Sequence, residues 1–267
     1  MSSINELEKI VERLRDPKDG CPWDRKQTSA SLIPNFIEEV YEAVEAIENN
    51  DYPHLCEELG DILLHIMLQV KIAEEAKHFT LKEVIKAINS KLIRRHPHVF
   101  DNELKNHTIH SEQVKINWEK IKLEEKKHSR KSVLEGVPKN LPALIQAQRI
   151  QEKAASTGFD WKTKTDSLTD ISTPIFDKIY EEINELKDEI EQNHQTKIED
   201  ELGDLLFSVV NLSRKLKIDA ESSLRKSTEK FKNRFKKVEQ ICQKNNINIS
   251  DTDMDTLDDI WETIKKD

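Results

Sequence analysis

The chain has 267 residues, 35% of them charged, with only 5 glycines and 8 prolines; this is enough for one large or two modest domains, and it suits long helices better than a turn-rich β fold. A net charge of −9 argues against a general affinity for nucleic acid or an anionic membrane, though not against a polyanionic small substrate that arrives with a divalent cation. The three cysteines, Cys21, Cys56 and Cys242, are far apart and form no Cys-x-x-Cys pair, which excludes a disulfide framework and fits a reducing compartment.

The N-terminal run Met-Ser-Ser-Ile-Asn-Glu has no basic stretch followed by apolar residues, so no signal peptide is expected. Periodicity predicts a first helix over residues 4–15. Pro34 then stands where a helix can begin, followed by the apolar stripe Phe36, Ile37, Val40, Tyr41, Val44 and Ile47. A break at Asn49-Asn50-Asp51-Tyr52-Pro53 precedes a second helix with Leu55, Leu59, Ile62, Leu63, Ile66 and Val70. So short a connection favours antiparallel packing of the two. The most apolar stretch, Ile62 to Leu68, is short and interrupted by His65, far from a membrane span, and a soluble cytoplasmic protein is expected. Further helices are predicted over 81–95 and 111–127. The segment Lys126-Lys127-His128-Ser129-Arg130-Lys131-Ser132, with Gly136, Pro138 and Pro142 beyond it, reads as a linker. Helical periodicity resumes over 142–155, 171–192, 197–216, 219–244 and 255–266. The expected division is a domain over 1–128, a linker over 129–141 and a second domain over 142–267.

The second half repeats the first. Glu38-Glu39-Val40-Tyr41-Glu42 matches Glu181-Glu182-Ile183-Asn184-Glu185, and Glu58-Leu59-Gly60-Asp61 matches Glu201-Leu202-Gly203-Asp204, both at an offset of 143 residues. Trp118-Glu119-Lys120-Ile121-Lys122 recurs at that offset as Trp261-Glu262-Thr263-Ile264-Lys265. The period is too long for a solenoid unit, so a duplicated domain accounts for it.

An isolated Glu-x-x-Glu in so charged a chain is ordinarily a solvated helix face. Here the short motifs persist while their surroundings diverge: Val44, Ala46 and Tyr52 stand opposite Lys187, Glu189 and Gln195. Residues three apart on a helix share a face, so Glu182 and Glu185 project together, as do Glu201 and Asp204 from the next helix. Packed antiparallel, the two helices set four carboxylates across one groove, an arrangement that calls for a cation. Oxygen ligands without an adjacent cysteine or histidine favour magnesium or manganese, and magnesium commonly shares its shell with substrate phosphates. Gly60 and Gly203 lie inside predicted helices, where close helix approach or a tolerated small packing residue accounts for them.

These motifs, with Arg13-Leu14-Arg15-Asp16-Pro17, Gly20-Cys21-Pro22-Trp23-Asp24, Arg94-Arg95-His96-Pro97-His98-Val99-Phe100 and Gly158-Phe159-Asp160-Trp161, make the sequence resemble the MazG family of nucleoside triphosphate pyrophosphohydrolases, in its long form with tandem domains. The resemblance spans nearly the whole chain. It implies an all-α fold, a homodimer with four-helix metal sites, and magnesium-dependent cleavage between the α- and β-phosphates to a nucleoside monophosphate and pyrophosphate. It also implies broad acceptance of ribo- and deoxynucleoside triphosphates. The metal ligands it implies are Glu182, Glu185, Glu201 and Asp204 in the second half and Glu39, Glu42, Glu58 and Asp61 in the first. Glu181 or a ligand carboxylate would take the proton from the attacking water.

The halves differ around these carboxylates. Lys178, one turn before Glu182, corresponds to Asn35, and Lys197, one turn before Glu201, corresponds to His54. Lysine binds phosphate as a point charge better than asparagine or neutral histidine does. The resemblance also implies that Lys230 and Arg234 lie near the triphosphate, with Trp261 as a base-stacking or pocket-closing residue. The second half is therefore expected to be the main catalytic copy. Two rivals stand beside this reading. A di-iron oxidoreductase needs Glu-x-x-His pairs, and Glu75-x-x-His78, Glu125-x-x-His128 and Glu191-x-x-His194 occur without repeating at the acidic offset. A non-catalytic nucleotide sensor or interaction protein would bind without turnover.

Overall fold

A computed structural model describes residues 3–101, 132–161 and 167–266, together with residues 114, 117, 118, 121, 124 and 125. The described residues are helices and turns, with no strand among them, and the fold is all-α as expected. The chain divides into two compact units, Met1–Ser111 and Glu112–Asp267. The helix predicted over 111–127 lies largely outside the described residues, as do residues 129–131 of the linker expected over 129–141. Of the helices described, none is long and apolar enough to cross a membrane.

The first unit begins with α1 (Ile4–Leu14), whose N-terminus is capped by Ser3 accepting from the Glu6 amide. A short α2 (Pro22–Lys26) follows, then α3 (Ile33–Asn49) with Pro34 in its first turn. Asn50 ends α3 in the left-handed region, at φ 56°, and Asp51 caps α4 (Tyr52–Glu75) by accepting from the His54 amide. The break anticipated at residues 49–53 is thus a two-residue turn with one residue for each job. α5 (Leu81–Arg95) opens with a capping box between Thr80 and Glu83, and α6 (Pro97–Phe100) is a single turn. Val11, Leu32, Met67 and Leu68 form the core, covered by Leu7, Leu64, Ile72 and Leu81, so α1 is fastened to the side of α4.

In the second unit α7 (Ala143–Ala155) precedes the long pair α8 (Leu168–Glu191) and α9 (Gln195–Lys215). Asn193 turns the chain between them at φ 57°, matching Asn50 at the 143-residue offset. α10 (Ala220–Lys244) and α11 (Met254–Lys266) close the unit around Val238, Cys242 and Ile264. α9 packs against α8, α7 and α10. α8 starts three residues earlier than its periodicity indicates, because Ser167 caps it by accepting from the Asp170 amide. Pro174 therefore falls inside the helix, near its start, where the missing N–H removes one helical bond.

Two of the family-specific strings are anchors of the fold. Buried Arg15 holds Glu75 through two hydrogen bonds of 3.0 and 2.7 Å, and donates to the backbone carbonyls of Asp24 and Gln27, tying the 16–27 loop to α4. Gly20 is required there: an added Cβ would come within 2.5 Å of the Asp16 carbonyl oxygen. In the second unit Arg214 grips Asp160 with bonds of 3.1 and 2.8 Å, and Lys215 adds a third at 2.9 Å. Those cations hold the Asp160 carboxyl below its ordinary range against the opposing effect of burial.

The apolar stripe of α3 is only partly covered within its own unit. Ala43 and Ala46 are buried, whereas Ile37, Val40, Tyr41 and Ile47 are exposed. A helix hairpin buries the inner sides of its two helices and leaves the outer sides without cover, so half of a wide apolar stripe stays in water. In the second hairpin Tyr180, Leu202, Leu206 and Phe207 are exposed in the same way.

Candidate metal centres

Each hairpin gathers carboxylates from both of its helices. In the first unit, oxygens of Glu39 and Glu42 on α3 and of Glu58 on α4 all lie within 4.8 Å of one another. In the second, Glu182 on α8 meets Glu201 and Asp204 on α9 within the same span. The i, i+3 spacing anticipated from the sequence therefore does bring acids together across the hairpin. Asp61 and Glu185 stand outside these tightest groups and act on them through charge.

Burial makes the proximity costly. Glu58 is 5% exposed and Glu182 only 4%, so their charges are poorly hydrated. In the first unit the Glu39 carboxyl is pushed up to about 7, chiefly by burial, then by the Glu58 carboxyl close beside it and by repulsion from Asp61 and Glu42. Glu42 is raised by burial and then by the Glu58 charge. Glu58 Oε1 takes a 2.8 Å contact from His54 Nε2, while Oε2 has no hydrogen-bond partner. Carboxylates crowded in this way raise one another's pKa, and a bound cation would offset that repulsion.

The second cluster carries its own ammonium group. Lys178 Nζ lies 2.8 Å from Glu182 Oε1 and 2.7 Å from Glu181 Oε1. The hydrogen bonds that the ammonium donates to Glu181 and Glu182 raise the Lys178 pKa above its ordinary value, so it stays charged. Glu185 is raised by burial, with Lys178 opposing and the Glu182 and Glu201 charges adding to the rise. Lys197 is not drawn into the cluster. Its Nζ lies 3.0 Å from Glu189, which also takes His194 Nδ1 at 2.9 Å.

Lys230 and Arg234 lie one turn apart on α10 and flank Phe231. The Phe231 ring is 5.2 Å from that of Trp261 and 6.0 Å from that of Phe235. Trp261 also packs against the core of Val238, Cys242 and Ile264, so it is a packing residue with one side on an exposed aromatic patch. The Glu-x-x-His pairs do not assemble a centre among the described residues: Glu75 is bound by Arg15 and His194 by Glu189. His128 lies outside the described residues.

One neighbour of the first cluster has no motif to announce it. His65, which interrupts the most apolar stretch of the chain, is 7% exposed, with Nε2 3.8 Å from Glu39 Oε1 and its ring 5.9 Å from that of Phe36. Burial lowers its pKa, so the imidazole is neutral near pH 7. Its place four residues after Asp61 and seven after Glu58 puts it on their helix face, which is the signal that could have found it.

Fold and sites together define an all-helical protein with two hairpin carboxylate centres, each with the hard oxygen donors that suit magnesium or manganese. The family model of the MazG nucleotide pyrophosphohydrolase domain matches residues 27–100 and again 173–239. An Escherichia coli K12 protein named nucleoside triphosphate pyrophosphohydrolase is 42% identical over 270 residues, which is 100% of this chain and 98% of that protein. A Thermotoga maritima protein named nucleoside triphosphate pyrophosphohydrolase/pyrophosphatase MazG is 44% identical over 262 residues, 98% of this chain and 95% of its own. A crystal structure of a mazG-related protein from Thermotoga maritima aligns with a TM-score of 0.38 and 29% identity, covering 45% of this chain and 98% of the other. The chain belongs to the MazG family, and each of its two matched segments contains one carboxylate cluster.

Proposed function

We propose that this protein is a magnesium-dependent nucleoside triphosphate pyrophosphohydrolase, with manganese as an alternative ion and the second unit as the main catalytic copy. The observation that carries this is the buried cluster of Glu182, Glu201 and Asp204 with the Lys178 ammonium set against it. The relatives named for that activity span the whole chain, which supports the substrate class. Glu182, Glu185, Glu201 and Asp204 are the ligands of this unit, and Glu39, Glu42, Glu58 and Asp61 are those of the first. Magnesium held there supplies neutralisation of the triphosphate and an acidified water.

The chain's own residues do the rest. Lys178 remains protonated and is free to move from Glu182 to a phosphate oxygen, where it offsets charge on the leaving group. Glu181 is half-exposed beside the cluster and takes the proton from the attacking water. The water oxygen bonds to the α-phosphorus as the bond to the bridging oxygen breaks, and pyrophosphate leaves. Lys230 and Arg234 hold the outer phosphates, Lys197 adds positive field at the groove, and the base lies against Trp261. The exposed apolar side chains of the hairpins, Ile37 and Val40 in one and Leu202 and Leu206 in the other, support a homodimer. The location that follows is cytoplasmic, where nucleoside triphosphates are made.

The test is product analysis with mixed triphosphates and magnesium on wild type, Glu182→Gln and Glu39→Gln. Monophosphate and pyrophosphate are expected from wild type and Glu39→Gln, and neither from Glu182→Gln. Loss of activity in Glu39→Gln alone would reverse the assignment of the units. Tight binding without any product would make the protein a nucleotide sensor.

A further inference from the structure

The two clusters are charged alike but neutralised differently. In the second unit an ammonium is already present, with Lys178 Nζ on Glu182 Oε1. The first unit has Asn35 at the matching position. Among the described residues, no lysine or arginine forms an ion pair with Glu39, Glu42, Glu58 or Asp61; the groups that face these acids are the imidazoles of His54 and His65.

Two buried side chains at the first cluster lack the partners that their chemistry requires. Glu58, 5% exposed, has an Oε2 with no hydrogen bond. His65, 7% exposed, has an unbonded Nδ1, and its Nε2 faces Glu39 Oε1 at 3.8 Å, longer than a hydrogen bond. The corresponding residue of the second unit is Ser208. Buried polar atoms are almost always satisfied in native proteins, and an orphaned carboxylate oxygen beside two further carboxylates is satisfied most directly by a cation. His65 lies beside this group and not within it: the oxygens that come within 4.8 Å of one another are those of Glu39, Glu42 and Glu58.

We infer that the first unit holds a resident divalent cation in the absence of nucleotide, whereas the second takes up its cation only together with the triphosphate. This rests on the reading of both clusters as cation sites. A cation entering the second cluster alone must displace Lys178 from the buried Glu182 and leave the ammonium on the exposed Glu181 only. A triphosphate replaces the lost Glu182 contact, so cation and nucleotide bind there as one event. In the first cluster there is no ammonium to displace, and the acids capture a free ion.

The experiment is a manganese titration of chelator-stripped, full-length protein, with free Mn2+ read by its electron paramagnetic resonance signal. Wild type is expected to take up one Mn2+ per chain without nucleotide. Glu58→Gln should take up none and Glu182→Gln should still take up one. A non-hydrolysable triphosphate should add further Mn2+ to wild type but not to Glu182→Gln. Circular dichroism checks that the variants are folded. If Glu58→Gln is not, the less buried Glu42→Gln decides, with an expected loss of at least tenfold in affinity. Failure of nucleotide-free wild type to bind Mn2+, equal filling of two sites, or a single ion lost in Glu182→Gln and kept in Glu58→Gln would overturn the inference. Pyrophosphate release by the same samples separates the two claims. One resident ion in a protein that releases no pyrophosphate leaves this inference standing and removes the function; full release without a resident ion does the reverse.

Discussion

At the scale of single residues, the chemistry turns on how buried carboxylates are neutralised. Glu39 shows the cost when no cation is present. Its folded pKa of about 7 lies above the ordinary 4.5, so the folded state holds the proton more tightly than the unfolded chain. The stabilisation from protonated Glu39 is complete below about pH 4.5 and is lost as pH rises through about 7. In chelator at pH 8, Glu39→Gln should therefore be more stable than wild type by up to about 3 kcal/mol, with the difference vanishing near pH 4.5. Urea unfolding at the two pH values checks this, and equal stability at pH 8 would contradict it. Lys178 shows the opposite arrangement, a permanent counter-charge on the 4%-exposed Glu182. Lys178→Ala is expected to lower pyrophosphate release roughly a hundredfold, while Asn35→Ala changes it little. His65 marks the limit of reading residues from sequence. A histidine in an apolar run looks like an interruption until the hairpin brings it to Glu39. The pairing of Lys197 with Glu189 was equally hidden, because the turn at Asn193 decides which acid of α8 it reaches.

At the scale of elements, the hairpins were legible and their faces were not. The residues 49–53 carry their own instructions, since Asn tolerates the left-handed region and Asp caps the next helix. The offset of 143 residues fixed the register of the second hairpin, down to the matching Asn50 and Asn193. Periodicity says which residues of α3 are apolar, but the partner helix decides which become buried, and Ile37 and Val40 face away. The glycines give a cleaner case. Close helix approach among the described residues does not account for Gly60 or Gly203, because a Cβ at either meets none of their atoms within 4 Å beyond its own stretch of helix backbone. Each Gly→Ala change is expected to raise stability by up to about 1 kcal/mol, measured by thermal unfolding. If Gly203→Ala raises stability and stops turnover, the open space there belongs to substrate or to a second copy. The anchor Arg15 should behave in the opposite way. Arg15→Ala leaves Glu75 without its cation and two carbonyls without donors, at an expected cost of about 3 kcal/mol.

At the scale of the whole molecule, duplication gave one hairpin design two electrostatic settings. Both units keep the acids, but the first surrounds them with imidazoles and the second with lysine. This electrostatic difference is what the sequence pattern indicated through Asn35 against Lys178, although the tightness of the Lys178–Glu182 pair needed the folded hairpin. The apolar outer faces of the hairpins exceed what single exposed residues explain, and sedimentation is expected to give a homodimer. The central claim is that water attacks the α-phosphorus of a nucleoside triphosphate at the second unit. Hydrolysis in oxygen-18 water, with products separated and weighed by mass spectrometry, tests it most directly. The label should appear in the nucleoside monophosphate from wild type, with no labelled product from Glu182→Gln. Label in pyrophosphate or orthophosphate, or undiminished labelling of the monophosphate in Glu182→Gln, would contradict the account.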